Sequence, residues 1–166
     1  MTKENIKIKM NEFSHINKKN NPKMVNVGDK KITKRKATAK AQMFLGAEVI
    51  SHFNNEELTT KKGPVFQTAI VAGIQAVKKT SELIPMCHPL LINGIDIDIQ
   101  ILNTEEIEIL CSVEIEGKTG VEMEALTGAS VTALTVYDMC KSISQKMLIK
   151  EVKLVEKTGG KSDIRN

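Results

Sequence analysis

The run Ile95-Asp96-Ile97-Asp98-Ile99-Gln100-Ile101 alternates apolar and polar residues. A period of two places every isoleucine on one face of an extended strand and the polar side chains on the other. Asn103–Glu105 can turn the chain, and Ile107, Ile109, Cys111, Val113 and Ile115 repeat the alternation. These strands read as a hairpin with one face buried and one wet. Working towards the N-terminus, Ala37, Ala39, Ala41 and Met43 alternate with polar neighbours and predict a strand within Lys34–Phe44. Ala47, Val49, Ile50 and Phe53 predict a short helix stopped near Asn54–Asn55, and Thr59–Gly63 predicts a loop. Pro64 suits the first turn of a helix supported by the apolar residues from Val65 to Val77. Towards the C-terminus the period turns helical from Val121 to about Ser144, and a last strand is predicted over Leu148–Val155. Leaving aside the short helix, the order is strand, helix, strand, strand, helix, strand. That is a split βαβ pattern: an α+β fold with an antiparallel sheet and its helices packed on one face. Such an architecture hosts many unrelated activities, so it does not name one.

At 166 residues and 18.3 kDa the chain matches one ordinary domain. Hydrophobic residues at 41% and charged ones at 27% exclude wholesale disorder. An unbroken apolar run of ~20 residues is missing, so no membrane-spanning helix is expected. The N-terminal residues carry no export pattern. Cys87, Cys111 and Cys140 form neither a disulfide framework nor a CxxC pair, which fits a cytoplasmic protein. Residues 1–40 hold 12 Lys and Arg against 3 Asp and Glu, whereas the remainder is acidic on balance. Residues 1–22 are read as a basic, flexible leader and 23–166 as a single catalytic domain. A basic arm also fits nucleic-acid binding. Recognition strands of that kind present aromatic side chains, and the two clearest strands here have none and carry acidic outer faces. Neither a nucleic-acid partner nor a membrane is therefore expected.

Several groups in the chain are suited to chemistry. His88 stands between Cys87 and Pro89, on a stiff segment that Pro85 also restricts. No other His or Cys lies at ligand spacing nearby, so no metal site is predicted. Asp138 and Lys141 share a helix face, either as a surface ion pair or as a coupled acid–base pair. Glu122 and Glu124 open a helix, where the macrodipole favours carboxylates. The GGKS tail at 159–162 is not a nucleotide-hydrolase loop, because the required first glycine is Val155.

The longer strings are more specific. KGPVFQTAIVAGIQAVKKTSELIPMCHPL at 62–90, GKTGVEMEALTGASVTALTVYDMCK at 117–141 and the GGKS tail occur in this order. Together they resemble the cyclic pyranopterin monophosphate synthase family, the C proteins of molybdenum-cofactor biosynthesis (MoaC), from about Met24 to Ser162. The resemblance implies a ferredoxin-like α+β subunit assembled as dimers, three of which form a hexamer, with the active site at the dimer interface. The reaction it implies converts (8S)-3′,8-cyclo-7,8-dihydroguanosine 5′-triphosphate to cyclic pyranopterin monophosphate and pyrophosphate. No cofactor is implied as required, and a divalent cation accompanying the triphosphate is left open.

Carried over position by position, Lys62, Lys141 and Asp138 match the catalytic residues. Met86, Cys87 and His88 match a substrate-contacting loop, as do Met123 and Glu124, with Glu122 lining the pocket. Arg35, Lys157 and Lys161 are implied as an anion-binding wall. Three positions depart from the family pattern. Asn26 stands in MVNV where an aspartate is usual, Pro64 follows KG where aspartate or asparagine is common, and no glycine follows GGKS.

Overall fold

The computed structural model describes residues 21–54 and 57–165. Residues 1–20, most of the segment read as a leader, lie outside them. The elements in order are β1 (Thr33–Phe44), α1 (Ala47–Ile50), β2 (Thr59–Thr60), β3 (Gly63–Pro64), α2 (Val65–Lys78) and α3 (Thr80–Leu83). They continue with β4 (Gly94–Ile101), β5 (Glu106–Gly117), α4 (Glu122–Cys140), β6 (Leu148–Thr158) and β7 (Ile164–Arg165). The five-stranded sheet has the order β4-β5-β1-β6-β7, and every pairing is antiparallel. Helices α2 and α4 pack against each other, α4 across β1, β5 and β6 and α2 against β4. This is the ferredoxin-like α+β arrangement, extended by the short strand β7.

The alternating residues build the core as their spacing predicts. Ile97, Ile107, Ile109, Cys111, Val113 and Ile115 are buried, while Asp96, Asp98 and Gln100 face solvent. Each fully buried isoleucine of this set stabilises the fold by ~1.5–3 kcal/mol relative to an exposed one. Ala37, Ala39 and Ala41 of β1 and Ala125, Ala129 and Ala133 of α4 are all fully buried in the same core. Small side chains there let α4 approach the central strand closely.

Several boundaries differ from the sequence reading. Thr59–Gly63 is not simply a loop: β2 and β3 pair through it as a tight hairpin too short to show any periodicity. Pro64 precedes α2 as its N-cap, with an extended ψ of 130°, instead of lying inside the first turn. Helix α1 ends at Ile50, before the asparagines, and α4 ends at Cys140, before Ser144. Strand β6 runs on to Thr158, and the tail returns as β7, pairing Glu156 with Arg165 and Lys157 with Ile164. Gly159 makes that return, with a φ of +79°, and a side chain there would run into the Lys34 carbonyl.

Candidate functional site

The N-terminal end of α4 faces the segment that follows α3. Between them is a cleft of about 540 Å³, into which Met86, Cys87 and His88 project from one side. Glu122, Met123 and Glu124 line it from the first turn of α4, and Lys161 reaches it from the tail. Seven of the residues singled out in the sequence thus converge on one concavity. His88 donates from Nε2 to the Val25 carbonyl at 2.9 Å, since a carbonyl can only accept. That bond aims the ring and leaves Nδ1 available.

Glu124 is only 4% exposed. Burial pushes its carboxyl above the usual carboxylate range, and the neighbouring Glu122 charge pushes it in the same direction. Burial likewise raises the Cys87 thiol, with a smaller contribution from Glu124, so this cysteine is not an activated thiolate. Glu122 is held by Lys157, whose Nζ lies 3.1 Å from its Oε1. Arg35 and Lys157 adjoin the cleft through a narrow gap beside Glu122 and Gly120, and Arg35 Nε donates to the Gly117 carbonyl at 3.0 Å.

Lys30, Val25 and Val27 also line the cleft but were not singled out in the sequence. They belong to an irregular segment with no periodic signal, and only the MVNV string pointed to it. Asn26 itself turns this segment by accepting the Gly28 N–H at 2.8 Å, a bond an aspartate would make equally well.

The three remaining residues form a second cluster at the other end of α4. Lys141 Nζ lies 2.7 Å from Asp138 Oδ1, and Lys62 Nζ lies 2.6 Å from Asp138 Oδ2. One carboxylate therefore bridges two ammonium groups, all three side chains being about half exposed. The Lys141 hydrogen bond, followed by that of Lys62, depresses the Asp138 carboxyl to about 2. In return Asp138 raises the Lys141 ammonium above its ordinary value. Lys141 is thus held in its charged form.

The two clusters are not together within one chain. Helix α4 is unbroken from Glu122 to Cys140. Glu124 and Asp138 are therefore separated by ~21 Å of helix at ~1.5 Å per residue. Among the described residues no group of three or more His, Cys, Asp or Glu could hold a metal ion, and no helix is long and apolar enough to cross a membrane.

The MoaC family model matches residues 24–160, which include all the residues of the two clusters except Lys161. A cyclic pyranopterin monophosphate synthase of Helicobacter pylori strain HPAG1 is 49% identical over 151 residues, covering 90% of this chain and 94% of that protein. One from Campylobacter jejuni strain 81-176 is 50% identical over 152 residues, covering 91% and 96%. A molybdenum cofactor biosynthesis bifunctional protein of Synechocystis is 49% identical, with the match covering 92% of this chain but 45% of that longer protein. A family match over most of the chain, joined by full-length relatives at half identity, leaves one conclusion: the chain belongs to the MoaC family and is an enzyme of molybdenum-cofactor biosynthesis.

Proposed function

We propose that the chain converts (8S)-3′,8-cyclo-7,8-dihydroguanosine 5′-triphosphate to cyclic pyranopterin monophosphate with release of pyrophosphate. Lysine and aspartate side chains supply the acid–base chemistry. The observation that carries this reading is the Lys62–Asp138–Lys141 cluster. Opening and reclosing rings around a guanine-derived base requires proton donors and acceptors at fixed positions. Closing a cyclic phosphate expels pyrophosphate, whose developing charge an ammonium group stabilises. Asp138 keeps Lys141 charged, so Lys141 acts as general acid and anion stabiliser, and Lys62 serves beside it. At the cleft, Glu124 offers a carboxyl group to the base, while Lys161, Lys157 and Arg35 hold phosphate oxygens.

Both clusters serve one substrate if two subunits share each site. A two-fold partner lying antiparallel across α4 brings its own Glu124 beside Asp138. The outward stripe of α4 suits such a contact: Met123 and Leu134 are exposed, with Thr127 and Ser130 between them. Three such dimers make the hexamer that the sequence resemblance implies.

The experiment is to assay turnover of the cyclised nucleotide by the Lys62→Ala and Lys141→Ala chains. Each loses ~10²–10⁴-fold in rate with circular dichroism unchanged. Wild-type turnover in both variants removes the lysines from the mechanism.

A further inference from the structure

Helix α2 begins at Val65 behind an N-cap proline, and proline offers no side-chain acceptor to the first turn. The first three N–H groups of the helix nevertheless all have partners, and every partner lies on residues 57 and 58. Val65 N donates to the Leu58 carbonyl at 2.8 Å. Phe66 N donates to Glu57 Oε1 at 3.0 Å and Gln67 N to Glu57 Oε2 at 3.2 Å. The same Oε1 accepts from Leu58 N at 2.8 Å. A carboxylate accepting backbone N–H bonds at the positive end of a helix makes the stronger, charge-assisted kind of cap.

The chain enclosed by this clamp is the β2–β3 hairpin. Thr60 Oγ1 folds its tip, accepting from Lys62 N at 3.1 Å and donating to the Gly63 carbonyl at 3.2 Å. Lys62 projects from that tip to Asp138. A ribbon of two residues per strand does not hold itself together in water. Its position depends on how its ends are tied.

We propose that Glu57 is a positioning residue: by capping α2 from outside the helix, it closes residues 57–67 into a fixed loop that presents Lys62 to Asp138. This rests on the reading of Lys62 as catalytic and adds the element that holds it in register. Misplacing a reacting group by about 1 Å can cost ~10²-fold in rate, so a loosened loop is expected to be felt in turnover.

The test compares the wild-type full-length chain with Glu57→Ala, Lys62→Ala, the double variant, and Glu57→Ala combined with Pro64→Asp. Turnover of the cyclised nucleotide and amide hydrogen exchange over residues 58–67 are measured for each. Glu57→Ala is expected to lower kcat at least tenfold and to speed exchange across this segment, with α4 unchanged. In the Lys62→Ala background the same change is expected to cost less than twofold, because its effect passes through Lys62. Pro64→Asp is expected to recover most of the loss, since an N-cap aspartate accepts from the third residue of the helix. Full kcat in folded Glu57→Ala, or an equal loss with and without Lys62, overturns the proposal. If Glu57→Ala does not fold, Glu57→Gln, which keeps one acceptor oxygen, replaces it in every arm. Should Lys62→Ala alone keep wild-type turnover, it is the catalytic role of Lys62 that fails. Glu57 is then judged by exchange: acceleration over 58–67 upholds its hold on the loop, and no change removes it.

Discussion

Two carboxylates on one helix are driven in opposite directions by their surroundings. Asp138, half exposed between two ammonium groups, is held ionised far below the usual range. Glu124, buried at the other end, is pushed towards its neutral form. A carboxyl whose folded pKa is raised binds its proton more readily folded than unfolded. Its contribution to stability is therefore complete below the unfolded value of ~4.3 and is lost as pH rises through the folded value. Glu124→Gln removes the ionisation and keeps the shape. The variant is expected to match wild type near pH 4 and to melt higher above it, while losing activity. Thermal unfolding from pH 4 to pH 8 checks this, each 1 kcal/mol of relief appearing as roughly 2–4 °C in Tm. A melting difference independent of pH refutes a raised carboxyl at this position.

Elements were legible in the sequence where one face is buried and the other wet. The strands containing Ile97 and Ile109 follow from alternation alone, and their observed ends lie within two residues of the predicted ones. The β2–β3 hairpin and α3 were not legible, because two or four residues carry no measurable period and are fixed by tertiary bonds. The crossing of α2 and α4 was equally hidden. It depends on close approaches at Gly73 and Gly128, although glycine weakens a helix interior. A side-chain carbon at Gly128 would sit 2.5 Å from Cys111 Sγ and 2.7 Å from Val77 Cγ2. Gly128→Ala gains ~1 kcal/mol in helix propensity, yet overpacking a core costs ~1–3 kcal/mol and occasionally more. With contacts this short the steric loss prevails. The variant is expected to be destabilised by ~1–2 kcal/mol, read as a lower midpoint in urea denaturation. Ser130→Ala, on the partly exposed side of the same helix, is expected to be neutral.

At the scale of the whole molecule, motif strings identified which residues matter but not where they stand relative to one another. Met86, Cys87, His88 and Glu124 meet in one cleft, yet Lys62, Asp138 and Lys141 stand at the far end of α4. The helical period predicted a helix here but overran its C-terminal end, and it could not show whether the helix was broken. The shared-site proposal makes a quantitative prediction from this separation. Glu124→Gln and Asp138→Asn chains, each inactive alone, are mixed, partly denatured and refolded together. Random pairing puts half the dimers in the mixed class with one of two sites intact, so activity is expected to return to roughly a quarter of wild type. No recovery in verified mixed dimers places both residues in a single subunit's site. The same helix sets a rule for how such a chain can diverge. One residue inserted between Glu124 and Asp138 would swing Asp138 and Lys141 about 100° around the axis, away from Lys62. Four would nearly restore their bearing but carry them ~6 Å away. Descendants of this sequence can exchange side chains along α4, but they cannot lengthen or shorten it. Gains and losses of residues are expected instead at Leu102–Glu105 and in 142–147, where extra chain moves neither cluster.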